Sequence, residues 1–528
     1  MELRLADQLE ISLGQDFFHA GESPAEDISA EQYIENGFVT VALTADASRV
    51  SYLRLRWRYR AEEKIRGDVR ILGDAWERSY GDLAWRAADP ERCMPWLCAV
   101  SNGTDSDLHY SGRRTACFGV RTQAAAFCMW QADGEGVTLT CDVRNGGSGV
   151  LLRGRRLRVC RIAIREYRDM SAFQALRMFC RVLCDSPLLP EKPVYGANNW
   201  YYAYGKSSAE EIRQDAAVIS RLCPEAENRP FMVIDDGWQK NATDGPWDRG
   251  NARFPDMQGL CADIRERNVE PGLWVRYLAD EHGETPGVTQ EMRLIRNPKY
   301  LDPSHPDVLR KVREETGLFT EKWGFRLIKH DFSTYDIFGF WGSERSGFLA
   351  EEGWHFFDET KTSAEIIVRF YRAIYESAAP GTVILGCNVI GHLAAGLVHL
   401  NRTGDDTSGT EWERTKKMGV NTLAFRLPQH RAFFDIDADC VGIMGKIDWR
   451  LNSEWLRLLS VSGTPLFVSC RPDLAEGKTE TDLKAAFRRA ETQRDTLVPL
   501  DWMETPWPER WLVNGTEERF VWDENRTC

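Results

Sequence analysis

The sequence predicts an α/β chain: a (β/α)8 TIM barrel preceded by an N-terminal β-sandwich and followed by a short C-terminal β element. Three observations predict it. From about residue 190, eight short apolar runs alternate with amphipathic helical stretches. Before that, residues 1–185 alternate apolar and polar positions between Gly, Asp and Asn turns. Alternation returns in the last stretch, 490–528. The expected units are therefore 1–185, 190–480 and 490–528.

The N-terminal strands are read in "FVTVAL", "SYLRLRWRYR", "TACFGVRT", "AAFCMWQA" and "GVTLTCDVR", enough for two packed antiparallel sheets. A helix over Asp169–Asp185 closes this unit, and "SPLLPEKP" is the linker. The eight barrel runs start at Val194, Pro230, Val269, Phe325, Thr382, Gly396, Ala438 and Gly463. Between them lie helix signals such as "SSAEEIRQDAAVISRLC", where Ser207 or Ser208 caps and Glu210 and Glu211 reinforce. The fifth unit leaves room for a helix of only a turn or two. An open doubly wound sheet fits less well, because no Gly-rich phosphate loop follows the first run.

Composition narrows the function. A net charge of −13 argues against nucleic acid and anionic membranes as partners. The densest basic run, "RGRRLR" at Arg153–Arg158, reads as a solvated strand face rather than an anion site. No apolar leader opens the chain, and no run is long enough to span a bilayer. The 14 cysteines form no paired CxxC sets, and Cys93/Cys98 and Cys180/Cys184 lack companions. A reduced, cytoplasmic protein without metal or cofactor is the expectation. The 19 tryptophans stand out, with Trp200, Trp238, Trp247, Trp274, Trp341, Trp354 and Trp412 beside polar clusters. An indole offers a flat apolar face and one N–H, which suits a sugar ring as well as it fills a core.

Barrel chemistry sits at the C-terminal strand ends. Those ends carry Asn199-Trp200, Asp235-Asp236, Trp274 with Arg276, Lys329-His330-Asp331, Cys387-Asn388 and Arg402 through Asp406. There is no converging set of histidines for a metallohydrolase. Carboxylates and tryptophans around one space suit glycoside hydrolysis, which uses a carboxyl pair flanking the glycosidic bond. Asp331 is the nucleophile candidate, kept ionised by Lys329 two residues earlier on the same face; Ser333 follows on that face. Asp406 is the acid/base candidate, its proton affinity raised by Asp405, although Asp405 could instead cap a helix. Asp235 and Asp236 can grip two sugar hydroxyls.

The segments "VIDDGWQ", "LDPSHPDV", "LIKHDFS" and "RTGDDTSG", in this order, resemble the melibiase group: α-galactosidases of glycoside hydrolase family 36 and their clan relatives. The resemblance covers about residues 190–470. It implies a retaining double displacement with Asp331 as nucleophile and Asp406 as acid/base. It further implies Lys329 and Arg402 as sugar-site cations, Asp235 and Asp236 on O4 and O6 of galactose, and Trp200 as an aromatic wall. It also implies an oligosaccharide or glycoside substrate and an N-terminal supersandwich, with "LGDAWERSYGDLAW" as a loop reaching the site, and leaves a homo-oligomer open. Three departures bear on specificity. His330 stands where the family has an aromatic residue, "GCNVIGHLAAG" replaces a Gly-rich loop, and Arg276 replaces an acidic residue. The alternatives are α-N-acetylgalactosaminidase, β-L-arabinopyranosidase, a galactosyl transglycosylase, or a sugar-binding barrel without catalysis.

Overall fold

A computed structural model describes residues 3–524 apart from 15, 21, 23–24, 225 and 493–495. Cys528 lies outside the described residues.

Two six-stranded antiparallel sheets form the N-terminal unit. One runs, neighbour to neighbour, Phe17–His19, Gln8–Ser12, Tyr52–Arg58, Gly136–Asp142, Phe127–Asp133, Met94–Pro95. The other runs Ile28–Glu35, Phe38–Ala45, Leu157–Arg168, Arg114–Val120, Leu97–Asn102, Val69–Gly73. Period-two patterning turns Leu53, Leu55 and Trp57 inward on one sheet and Val39, Val41 and Leu43 inward on the other. Trp57 and Trp130 lie 5.9 Å apart in this core, with Phe118 5.8 Å beyond. The closing helix spans Ala172–Leu183, and its Ser171 side chain accepts the Gln174 N–H at 3.1 Å.

The barrel strands are all parallel. They are Tyr195–Asn198, Phe231–Ile234, Glu270–Val275, Leu327–His330, Val383–Gly386, Leu400–Arg402, Asp435–Asp437, Cys440–Ile443 and Leu466–Cys470. That makes nine segments where eight runs were expected. The seventh run was placed at Ala438, but its strand begins at Asp435 and breaks in the middle. Asp435–Asp437 pairs with the sixth strand and Cys440–Ile443 with the last. The sheet thus closes through residues 438 and 439 of one continuous segment. Asp439 sits at the break with φ of +71°. An Asp-Ile-Asp strand hides its identity in sequence because both carboxylates are buried, at 4% and 1% exposure.

Helices cover the barrel. Ala209–Leu222 is capped by Ser208, which accepts the Glu211 N–H at 3.3 Å. Ser363–Ser377 carries a reciprocal capping box: Thr362 Oγ1 accepts the Glu365 N–H at 3.1 Å, and the Thr362 N–H donates to Glu365 at 3.0 Å. The fifth-unit helix is Gly391–Ala394, a single turn. After the helix Gly477–Thr492, three antiparallel strands, Leu497–Pro499, Arg510–Val513 and Thr516–Arg519, form the tail. The tail ties both larger units together. The Trp502 indole N–H donates to Asp105 in the sandwich unit at 3.0 Å, and the Trp412 indole N–H donates to the Trp522 carbonyl at 2.8 Å. No helix among the described residues is long and apolar enough to cross a membrane.

Candidate active site

A pocket of about 240 Å3 opens at the C-terminal ends of the barrel strands. Asp331 lies on its wall, one residue past the fourth strand. One carboxylate oxygen accepts the Trp274 indole N–H at 3.0 Å; the other accepts the Phe332 N–H at 2.7 Å and the Asn388 amide. Phe332 and Asn388 both hold positive φ, +63° and +53°. Such strain in non-glycine residues persists only where the surroundings enforce it. Here it folds two donors back onto one carboxylate. Burial alone would raise the Asp331 proton affinity. The Lys329 ammonium, the Arg78 guanidinium and the Trp274 and Asn388 hydrogen bonds overcome it and hold the carboxyl below its usual range.

The second strand ends in Asp235-Asp236-Gly237. Asp235 accepts from Lys329 Nζ and from the Asn198 amide, each at 2.7 Å. Burial favours the neutral amine of Lys329, yet the Asp235 carboxylate keeps the ammonium well above its ordinary value. Asp236 accepts from Gln239 at 2.5 Å and from the Thr243 N–H at 2.9 Å through one oxygen. Gly237 makes the turn possible: its φ is +105°, and a Cβ there would lie 2.4 Å from the Gly205 carbonyl oxygen.

Asp406 faces the same pocket beyond the sixth strand, with 36% of its side-chain surface accessible. Protein crowding around its carboxyl, and then the Asp439 carboxylate, raise its proton affinity, while Arg402 and Lys329 oppose. Asp405 also contributes, but after Asp439. Asp405 does not cap a helix; it pairs with Arg78 at 2.8 Å and Arg414 at 2.7 Å. Arg402 is a buried hub. It reaches Asp406 at 3.2 Å, Asp437 at 3.3 Å and Asp439 at 2.7 Å. The other Asp439 oxygen accepts the Thr407 N–H at 2.7 Å and the Tyr201 hydroxyl. Asp439 thus holds both the arginine behind Asp406 and the backbone just after it.

The structure brings Asp331, Asp406, Asp235, Asp236, Lys329, Trp200, Trp274 and Asn388 to one pocket. It does not bring Arg276, Ser333 or Arg402 to the lining. Arg276 is clamped by Asp336 at 2.6 Å, behind Phe332, with its guanidinium 4.5 Å from that ring. Ser333 is 2% exposed and its hydroxyl donates to the Asn388 carbonyl at 3.3 Å. His330 points away from the pocket, toward Phe370 and Tyr371, and neither ring nitrogen has a hydrogen-bond partner. Burial drops its proton affinity to about 4. Three wall residues carried no role in the sequence, Arg78, Thr243 and Phe332, and Trp341, flagged there only as a tryptophan beside polar residues, joins them. Arg78 comes from the sandwich-unit loop that "LGDAWERSYGDLAW" had flagged, and its guanidinium stacks 4.8 Å from the Trp341 ring. The Ser79 N–H docks that loop on the Thr403 carbonyl at 2.8 Å. Of the flagged tryptophans, Trp238, Trp247, Trp354 and Trp412 are core.

The arrangement sets one carboxyl whose proton affinity is lowered, Asp331, and one whose proton affinity is raised, Asp406, on one small, aromatic-walled space. That is the division of labour glycoside hydrolysis requires.

No protein-family model matches the chain, and no curated protein matches it. Solved structures do. TtGalA, an α-galactosidase from Thermus thermophilus in complex with p-nitrophenyl α-D-galactopyranoside, is similar over 97% of this chain and 99% of its own, with a TM-score of 0.59 and 16% identity. The GH36 α-galactosidase AgaA from Geobacillus stearothermophilus matches 97% of this chain over 79% of its own, with a TM-score of 0.58 and 13% identity. The galactosidase domain of AgaSK, an α-galactosidase–sucrose kinase, matches 100% of this chain over 77% of its own, at 0.59 and 13% identity. At these identities the likeness is one of fold.

Proposed function

We propose that this chain is a retaining, exo-acting α-glycoside hydrolase of α-galactosidase type. The observation that carries the reading is the opposed electrostatics of Asp331 and Asp406 on one pocket. In the first step Asp331 attacks the anomeric carbon while Asp406 gives its proton to the departing glycosidic oxygen. In the second, Asp406 takes a proton from water, which displaces Asp331 and releases the sugar. Asp236 spends one oxygen on Gln239 and Thr243 and keeps the other for a sugar hydroxyl. Asp235, held by Lys329 at 2.7 Å, offers a second acceptor. At about 240 Å3 the pocket is below the ~300–1,000 Å3 of drug-sized sites, room for one terminal sugar ring.

Similar folds among α-galactosidases, one of them in complex with a galactoside, make α-galactosides the first substrates to try. Arg276 and His330, two of the departures in sequence, both lie away from the pocket. The test is hydrolysis of p-nitrophenyl α-D-galactopyranoside, with Asp331→Ala as the control. Asp331→Ala should abolish turnover, and azide should restore it with β-galactosyl azide as product. Full activity in Asp331→Ala would overturn the assignment. A panel including α-N-acetylgalactosaminide and β-L-arabinopyranoside, with product analysis at high acceptor concentration, sorts the related specificities and transglycosylation.

A further inference from the structure

The densest basic run of this acidic chain finds an unexpected setting. Arg158 and Arg161 lie on the strand Leu157–Arg168, three residues apart. At that spacing they would ordinarily face opposite sides of a strand. The pairing shows otherwise: Arg158 opposes Ala42, Cys160 opposes Val41 and Arg161 opposes Thr40. Val159 is the extra residue of a bulge, and the bulge turns both arginines to the same outer face.

That face forms one wall of a groove of about 610 Å3 between the sandwich and the barrel. Five arginines line it, Arg121, Arg155, Arg158, Arg161 and Arg372, against two carboxylates, Asp185 and Glu365. Arg121 and Arg161 are backbone neighbours across strands, the Arg121 N–H donating to the Arg161 carbonyl at 2.8 Å. Both guanidiniums lean on the Phe38 ring, 4.9 and 4.7 Å from its centroid. Like charges so placed cost stability. The carboxylates answer only part of this. Glu365 is taken by Arg155 through two contacts, at 2.8 and 2.9 Å, and Asp185 pairs with Arg121. Arg158 and Arg161 have no carboxylate within ion-pair distance among the described residues, and Nε of Arg161 is buried without a hydrogen-bond partner.

We propose that this groove binds a phosphate dianion, free or carried on a small molecule. Two unpaired guanidiniums match two negative charges, and the planar fork of arginine suits phosphate oxygens. A small ligand fits better than a polymer, because the rest of a chain with a net charge of −13 repels an extended polyanion. The site is independent of the hydrolase reading.

The test uses the full chain in chloride buffer at fixed ionic strength, with calorimetric titration and thermal melting. Inorganic phosphate and a hexose 6-phosphate are the two probes. At least one should bind and raise the melting temperature beyond chloride; a stronger response to the sugar phosphate identifies a sugar carrier, and an equal one identifies free phosphate. Arg158→Ala, at an exposed position, should fold normally and weaken binding by about tenfold. Arg158→Ala/Arg161→Ala should abolish binding, while Arg153→Ala, outside the groove, should keep it. Both probes acting no better than chloride in both assays, or Arg158→Ala binding as wild type does, would overturn the proposal. So would a polyanion such as heparin binding more tightly than both probes.

Discussion

Replacing Asp439 by Asn tests whether a residue outside the pocket sets the proton on Asp406. The substitution keeps shape and an acceptor oxygen for Thr407 and Tyr201 but removes one negative charge. One guanidinium, that of Arg402, bridges the two carboxylates, at 3.2 Å from Asp406 and 2.7 Å from Asp439. Their charges are then on the order of 6 Å apart, a repulsion of ~3 kcal/mol at an effective dielectric constant near 20. Because 36% of the Asp406 side chain is open to water, screening cuts this to roughly half. The acid/base must be protonated for the first step, so activity falls as pH rises through its pKa. Asp439→Asn lowers that pKa, and the basic limb of the kcat/KM profile moves to lower pH. Above the limb, a galactoside with a sugar leaving group should lose about tenfold in rate. The p-nitrophenyl galactoside, whose leaving group departs without a proton, should lose little. An unmoved basic limb in a folded Asp439→Asn enzyme would refute the reasoning, as would equal losses on both substrates.

Arg78→Ala removes a cation that helps hold Asp331 ionised. The pKa of Asp331 rises, so the acidic limb of kcat/KM should shift to higher pH, read in the same profile. Arg276→Met breaks a buried pair and strands Asp336, whose carboxyl burial already pushes up to about 7. It should cost about 3–5 kcal/mol in urea unfolding, and Arg276→Met/Asp336→Asn should recover much of the loss. His330→Phe should leave activity intact and stabilise the fold by about 1–3 kcal/mol, since it removes two buried, unpartnered nitrogens. The His330 pKa is depressed to about 4, so its stability contribution is present above the unfolded value and lost as pH falls from about 6.5 toward 4. Wild type should therefore lose about 2 kcal/mol at this residue between pH 7 and 5, and His330→Phe should not.

The barrel was legible because each strand end breaks an apolar run with ionisable residues, and because Ser208 and the Thr362–Glu365 box write their caps locally. Long-range charge pairing was not legible. Arg276 and Arg402 read as sugar contacts, since a cation at a strand mouth looks available; their partners, Asp336, Asp437 and Asp439, stand 35 to 60 residues away. Asp405 read as the charge acting on Asp406 because it is adjacent in sequence, whereas the fold brings Asp439 to greater effect. The seventh strand misled for a related reason: Asp-Ile-Asp has the look of a turn until Arg431 faces Asp435 at 3.5 Å and Arg402 faces Asp437 at 3.3 Å. His330 marked a departure in sequence, yet it occupies an aromatic niche between Phe370 and Tyr371 as a neutral ring.

The loop that carries Arg78 makes the pocket a product of assembly. The barrel holds Asp331, Asp406 and Lys329, but a cation that acts on Asp331 and half of the Asp405 pairing belong to the sandwich unit, docked through Ser79 on Thr403 and through Asp74 on Arg426 at 2.7 Å. A barrel folded by itself would be a finished scaffold around an unfinished charge balance. Synthesis proceeds from the N-terminus, and domains fold as they emerge. The wall fragment is therefore waiting before the strands that need it have closed, and the chain makes its parts in the order in which they are consumed.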